Sequence, residues 1–242
     1  MAGNRPSRRT VRRARIVAAL LIGTALFTAF AYDVSDGAEG LPATGARTSE
    51  SSTTTTFSTG RVALVGDSLS AQSSALETAR LEEAGWGPIV INALAGRRIL
   101  HDTDITAPYA GIKAVDEVRA AGPDPYTWIV ELGTNDVVYT GNDANALLPR
   151  IEAMLDAIGP GHRIVWINVR YGMDLEGSAT FNQLLTQVAS QRSDMVVGDW
   201  ASVAPTGDNL ILDGTHLSVT GLDAFARLVT DTANAAIFTP AP

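Results

Sequence analysis

From residue 61 onward the chain alternates short apolar runs rich in β-branched residues with longer stretches whose apolar positions recur at helical spacing. The runs at 62–65, 89–93, 128–132, 164–169 and 195–198 predict five strands. Amphipathic stretches near 72–84, 110–121, 143–158, 178–191 and 219–236 predict the helices between and after them. Pro88, Pro123, Pro125 and Pro160-Gly161 punctuate the places where helix gives way to strand. Strands that are apolar throughout, rather than at every second residue, are buried on both faces. With crossovers of this length, that predicts a parallel sheet covered by helices on both sides. There is no internal repeat.

A different pattern precedes this domain. Residues 16–32 (IVAALLIGTALFTAFAY) carry no charge, and six arginines (Arg5, Arg8, Arg9, Arg12, Arg13, Arg15) stand before them. Asp33, Asp36 and Glu39 follow, so the positive-inside rule places everything downstream outside the cytoplasm. The run is long for a signal-peptide core and short for a spanning helix, and Ala29-Phe30-Ala31 offers a cleavage site. Residues 1–32 are therefore expected to be a signal peptide or a single membrane anchor. Residues 33–60, rich in Ser, Thr, Gly and Ala, bury too little apolar surface to offset their ordering entropy and are expected to form a disordered linker. The expected domain is 61–238. Leu41-Pro42-Ala43-Thr44-Gly45 matches a wall-sorting string, but such strings work near a C-terminus, and here a whole domain follows.

Composition narrows the chemistry. Hydrophobic residues make up 45% of the chain, enough for a substantial core. The absence of cysteine excludes a thiolate nucleophile, thiolate metal sites and disulfides. The net charge of −8 hides an asymmetry: without the six leading arginines, 12 basic residues face 26 acidic ones, a balance of −14. A nucleic acid would be repelled by such a body.

Four strings carry candidate chemistry: Gly66-Asp67-Ser68-Leu69-Ser70, Ala95-Gly96-Arg97, Gly133-Thr134-Asn135-Asp136 and Asp213-Gly214-Thr215-His216. The first three follow the first three strands, at the sheet edge where α/β proteins bind ligands. The fourth precedes the last helix. Ser68 leads into a helix whose free N–H groups favour developing negative charge, although Ser68 or Asp67 could equally be a plain N-cap. Asp213 stands three residues before His216 on a glycine-containing loop, a spacing that lets the carboxylate reach one ring nitrogen and leaves the other for a serine hydroxyl. The Asn135 amide can donate to an oxyanion without carrying charge. Asp136 is expected to cap or brace its loop, and Asp199, after the fifth strand, is the second candidate for the acid. His162 is expected in a surface turn and His101 in a polar loop near the cleft. Tyr109, Tyr171, Met173 and Leu175 are expected in loops that either shape the pocket or simply pack.

Taken together, these strings resemble the four motif blocks of the SGNH (GDSL) hydrolase superfamily, over residues 61–238. The resemblance implies a flavodoxin-like three-layer α/β/α sandwich with a five-stranded parallel sheet in the order 2-1-3-4-5, and ester chemistry without a metal or cofactor. It also implies Ser68 as nucleophile, Asp213 and His216 as the rest of a triad, and an oxyanion hole formed by the Ser68 and Gly96 N–H groups and the Asn135 side chain. The stretches 164–169, 198–200 and 213–221 further resemble the SGNH domains of bacterial cell-wall O-acetyltransferases, but no multi-pass acyl-donor domain of the kind that usually precedes those domains is seen.

The expected activity is therefore that of an extracytoplasmic serine esterase acting on carbohydrate O-acyl or lipid esters. Acyl transfer to a wall glycan is the alternative within the same chemistry, and a non-catalytic glycan-binding module is the alternative of another class. A metal-dependent phosphoesterase is disfavoured by three scattered histidines. The expected partners are a small-molecule or cell-envelope ester and, for an uncleaved N-terminus, the membrane. Neither nucleic acid nor a second subunit is expected.

Overall fold

In the computed structural model, which describes residues 60–101, 109–205 and 210–237, the five apolar runs form one parallel sheet. Its strands are β1 (Val62–Gly66), β2 (Ile89–Ala93), β3 (Thr127–Glu131), β4 (Arg163–Ile167) and β5 (Met195–Gly198), in the order β2-β1-β3-β4-β5. The helices are α1 (Ser68–Glu83), α2 (Gly111–Ala120), α3 (Thr134–Thr140), α4 (Ala144–Ile158), α5 (Leu175–Ser190), α6 (Trp200–Val203) and α7 (Val219–Ile237). The apolar segment at 16–32 and the linker at 33–59 lie outside the described residues. Among the described residues no helix is long and apolar enough to cross a membrane.

Every residue of β1 and β3 is buried, as continuous apolar runs demand. Alternate side chains enter two cores. Ala63, Val65, Trp128, Val130, Ile164 and Trp166 pack with Val115 and Val118 of α2, Ile151 and Met154 of α4, and Phe181 and Leu185 of α5. On the other face, Val62, Leu64, Ile129, Val165 and Ile167 pack with Leu69 and Leu81 of α1 and with Phe225, Val229 and Ala233 of α7. The result is the three-layer sandwich, with α1 and α7 on one side and α2, α4 and α5 on the other. Trp166 is fully buried without an orphaned donor because its indole N–H donates to the Leu132 carbonyl at 3.0 Å.

The register brings the carboxyl ends of three strands level. Gly66 pairs with Ala93 of β2 and with Glu131 of β3, so the segments carrying Ser68, Gly96 and Asn135 leave the sheet side by side.

The elements depart from the sequence expectation in several places. Helix α1 starts at Ser68 rather than near 72, because Asp67 caps it. Its inward face is also not apolar: Ser70, Ser73 and Glu77 are buried on it between Leu69 and Leu81. Helices α3 and α6, of seven and four residues, were not expected; both are too short to show a helical period. Strand β4 stops at Ile167, and the Asn182 side chain takes over both backbone groups of Val169, at 2.9 and 2.8 Å. Helix α5 begins at Leu175 rather than near 178, capped by Asp174, which accepts from the Gly177 N–H at 2.7 Å.

Candidate active site

The turn after β1 is built around Gly66. A Cβ there would stand 2.6 Å from that of Ser70, so only glycine lets the first turn of α1 fold back on the strand end. Asp67 is the N-cap, accepting from the Leu69 N–H at 3.0 Å. The capping reading thus falls on Asp67, and Ser68, the first helical residue, keeps its hydroxyl for another partner. That partner is Nε2 of His216, 3.1 Å from Ser68 Oγ.

The loop before α7 carries the other two residues. His216 Nδ1 lies 2.7 Å from Asp213 Oδ2, so the ring proton sits on Nδ1 and Nε2 accepts from the serine. Asp213 Oδ1 accepts from the N–H groups of His216 and Thr215 at 2.8 and 3.1 Å, which fixes the carboxylate on its own turn. Gly214 makes the turn possible with φ at +87°. The loop is also held from outside: Gly172 N–H donates to the Gly214 carbonyl at 2.8 Å, and Leu217 N–H donates to Gln72 of α1 at 3.2 Å. Burial acts to raise the Asp213 carboxyl, but its hydrogen bonds with His216 outweigh this and hold it down at about 2. Asp213 is therefore ionised at any pH where a histidine base works. Asp199, the second candidate acid, accepts instead from Asn168 at 2.8 Å and from the Ser202 N–H at 3.1 Å, capping α6.

The expected oxyanion donors are tied to the turn after β1 that carries Ser68. Asn135 is the second residue of α3, and its Nδ2 donates to Asp67 Oδ2 at 2.9 Å, which leaves one amide hydrogen for a substrate. The turn that places it needs Gly133, whose φ is +131° and whose Cβ would strike the Phe181 ring at 2.4 Å. Gly96, with φ at +77°, lies in the turn closed by the bond from Arg97 N–H to the Leu94 carbonyl. Leu94 N–H and the Arg97 guanidinium both donate to the Gly66 carbonyl at 3.1 Å, tying the Gly96 loop to the turn that carries Ser68.

Beneath this site is a layer of buried acids that sequence reasoning missed. Glu131 Oε2 accepts from the N–H groups of Asp67 at 3.0 Å and Ser70 at 3.2 Å. Glu77 Oε1 accepts from the hydroxyls of Ser70 at 3.1 Å and Ser73 at 2.9 Å. Burial pushes Asp67 up to about 6 and Glu77 up to about 8, and burial together with the Asp67 charge pushes Glu131 well above the usual carboxylate range. The signal available in the sequence was Glu131 itself, a carboxyl closing an otherwise apolar strand of a covered sheet.

These acids predict a pH dependence. Native Glu77 keeps its proton up to about pH 8, whereas in the unfolded chain it releases it near 4.5. In that window the native state binds more protons, so the stability that Glu77 contributes falls as pH rises from about 4.5 to 8 and levels off above. Asp67 and Asp136, both raised by burial, add to the same slope at lower pH. The melting temperature is expected to drop between pH 5 and pH 8 by about 2–4 °C for each ~1 kcal/mol lost. In Glu77→Gln the drop should shrink, and an equal drop in both proteins would place the titration elsewhere.

The remaining candidates fall outside this constellation. His162 stands in the turn before β4, its Nδ1 2.9 Å from the Pro125 carbonyl, but its ring is largely buried, edge-on to Trp128, where a surface position was expected. His101 packs edge-on against Tyr109 at 4.1 Å and lies 2.8 Å from the Arg98 guanidinium. Asp136 accepts from the Ile99 N–H at 3.0 Å and faces Arg150 at 3.3 Å, bracing the loop after β2. Tyr171 packs on the core, Tyr109 and Met173 are exposed loop residues, and Leu175, expected in a loop, is the exposed first residue of α5.

No family model matches the chain, and no curated protein matches it by sequence. Solved structures do. The chain is similar to TesA, with 17% identity and a TM-score of 0.56 over 73% of this chain and 99% of that one. It is similar to Est24, a carbohydrate acetylesterase from Sinorhizobium meliloti, with 18% identity and a TM-score of 0.56 over 74% and 99% of the two chains. It is also similar to the C-terminal catalytic domain of the Streptococcus pneumoniae peptidoglycan O-acetyltransferase A, with 16% identity and a TM-score of 0.53 over 74% and 93%. At these identities the shared property is the fold, and it is the fold that the SGNH resemblance implies.

Proposed function

We propose that this protein is a serine esterase acting on acyl esters outside the cytoplasm through an acyl-enzyme. The observation that carries the reading is the unbroken chain of hydrogen bonds from Asp213 through His216 to Ser68, at 2.7 and 3.1 Å. Ser68 Oγ attacks the ester carbonyl while His216 Nε2 takes its proton, and the ionised Asp213 stabilises the imidazolium. The Ser68 and Gly96 N–H groups and the free Asn135 amide hydrogen receive the oxyanion. As the tetrahedral intermediate collapses, His216 protonates the departing alcohol. Water then attacks the acyl-Ser68 ester by the reverse sequence and releases the acid. Carbohydrate O-acyl or lipid esters of the cell envelope suit the exposed site and the charge pattern of the N-terminal segment.

The shared fold with a peptidoglycan O-acetyltransferase domain favours one second reading, in which a glycan hydroxyl replaces water in the last step. One experiment addresses both. A fluorophosphonate probe is expected to label Ser68 in the wild-type chain and to do so far more slowly in His216→Ala, and absence of labelling would leave a glycan-binding module as the better account. With p-nitrophenyl acetate as donor, acetate should be the product in water. Acetylated glycan formed in the presence of wall-glycan fragments would move the assignment to the transferase.

A further inference from the structure

Ser68 is flanked by two backbone N–H groups, those of Asp67 before it and Ser70 after it, and both donate to one oxygen, Glu131 Oε2, at 3.0 and 3.2 Å. Glu131 is the last residue of β3 and is 3% exposed. Its own carbonyl also accepts from the Asp67 N–H, at 3.2 Å. One residue of the neighbouring strand thus grips the nucleophile turn from below with main chain and side chain. The Asp67 side chain continues the network upward, one oxygen accepting from Leu69 N–H at 3.0 Å and the other from the Asn135 amide at 2.9 Å. The order is Glu131, nucleophile turn, Asp67, Asn135, and it links the backbone on both sides of Ser68 to the Asn135 amide.

We propose that Glu131 is a positioning residue of this site, clamping the turn on both sides of Ser68 and, through Asp67, holding the Asn135 amide at the oxyanion position. The inference rests on the esterase reading above and assigns a role to a residue outside the triad and the oxyanion hole.

The surroundings say in which form Glu131 works. Asp67 and Glu77 are buried around it, and Arg97, the nearby cation, is engaged by the Gly66 carbonyl and by the backbone and side-chain oxygens of Asn92. A buried charge without a matched cation is costly, so Glu131 holds its proton and acts as a neutral acceptor. The close fit is also visible at Gly66, where a Cβ would stand 3.1 Å from Glu131 Oε2. A strand that only needed to fill space here would carry an apolar residue.

Glutamine reproduces a neutral acid in shape and keeps an acceptor oxygen for both N–H groups. Leucine fills similar volume and accepts nothing, leaving the Ser70 N–H at the helix start unpaired. In the full-length protein, with kcat normalised to the folded fraction measured by circular dichroism, Glu131→Gln is expected to stay within about threefold of wild type. Glu131→Leu should lose about 100-fold in kcat with KM little changed, since displacing a reacting atom by ~1 Å costs rate rather than affinity. Asp67→Asn gives the test that does not depend on folding of the leucine variant, because asparagine caps a helix as well as aspartate does. Its amide would confront the Asn135 amide donor to donor, and kcat should fall about tenfold or more, as for partial loss of an oxyanion donor.

A folded Glu131→Leu with kcat within threefold of wild type overturns the proposal, and so does a Glu131→Gln as impaired as Glu131→Leu. If the leucine variant does not fold, wild-type kcat in Asp67→Asn overturns it instead. Loss of all turnover in Ser68→Ala beside a normal Glu131→Leu would sink the clamp alone. Undiminished turnover in Ser68→Ala would sink the esterase reading beneath it.

Discussion

Replacing Ser68 by alanine is expected to lower kcat for p-nitrophenyl acetate by on the order of 10⁴-fold or more, leaving at most the residual rate that binding and an oxyanion hole supply. The size of the effect follows from what the hydroxyl does. In the proposed mechanism it is the atom that forms the covalent bond, and His216 has no other proton to take from a bound ester. Ser70, two residues on, cannot stand in, because its hydroxyl is buried and donates to Glu77 at 3.1 Å. Fold effects should be small: Ser68 Oγ bonds the His216 ring, while the cap of α1 rests on Asp67. The measurement is turnover of the purified variant beside its thermal melt. Wild-type turnover with an unchanged melt would remove Ser68 from the mechanism and return it to the role of a helix-start residue.

Much of this arrangement could be read from the chain, for identifiable reasons. Parallel strands buried on both faces leave a continuous apolar signature, and all five were found within about two residues of their observed ends. Ser68, Gly96 and Asn135 follow strands, and the register that pairs Gly66 with both Ala93 and Glu131 turns that sequence regularity into proximity. What stayed illegible depends on contacts distant in sequence. Ser68 and Asp67 both read as possible caps at the start of α1, and only the bond from the Leu69 N–H to Asp67 shows which of them caps it. Helix α3, between Gly133 and Gly141, is too short for periodicity. The buried acids were hidden most completely. Ser70, Ser73 and Glu77 resemble the solvent face of a helix, and only the fold shows that this face packs inward, towards Glu131, 61 residues beyond Ser70.

Asp213→Asn is expected to lower kcat by about 10²–10³-fold, whereas Asp199→Asn should leave it within about twofold; removing the acid of a buried triad costs ~10⁴-fold and sets the upper limit. The direction comes from hydrogen-bond polarity. Asp213 Oδ1 accepts from two backbone N–H groups, so an asparagine must keep its oxygen there and turn its NH₂ toward His216 Nδ1. A donor facing Nδ1 moves the ring proton to Nε2, where the ring can no longer accept from Ser68. The reduced magnitude comes from exposure. The Asp213 and His216 side chains are 60% and 39% exposed, so water can compete for Nδ1 and a fraction of the rings keeps the productive tautomer. In Asp199→Asn the new side chain would still cap α6 through its oxygen, and it does not touch His216. Kinetics of both variants, with ¹⁵N shifts of the His216 ring to locate its proton, separate the two acids. A large loss in Asp199→Asn, or a productive tautomer at full rate in Asp213→Asn, would overturn the assignment of Asp213 as the acid that orients His216.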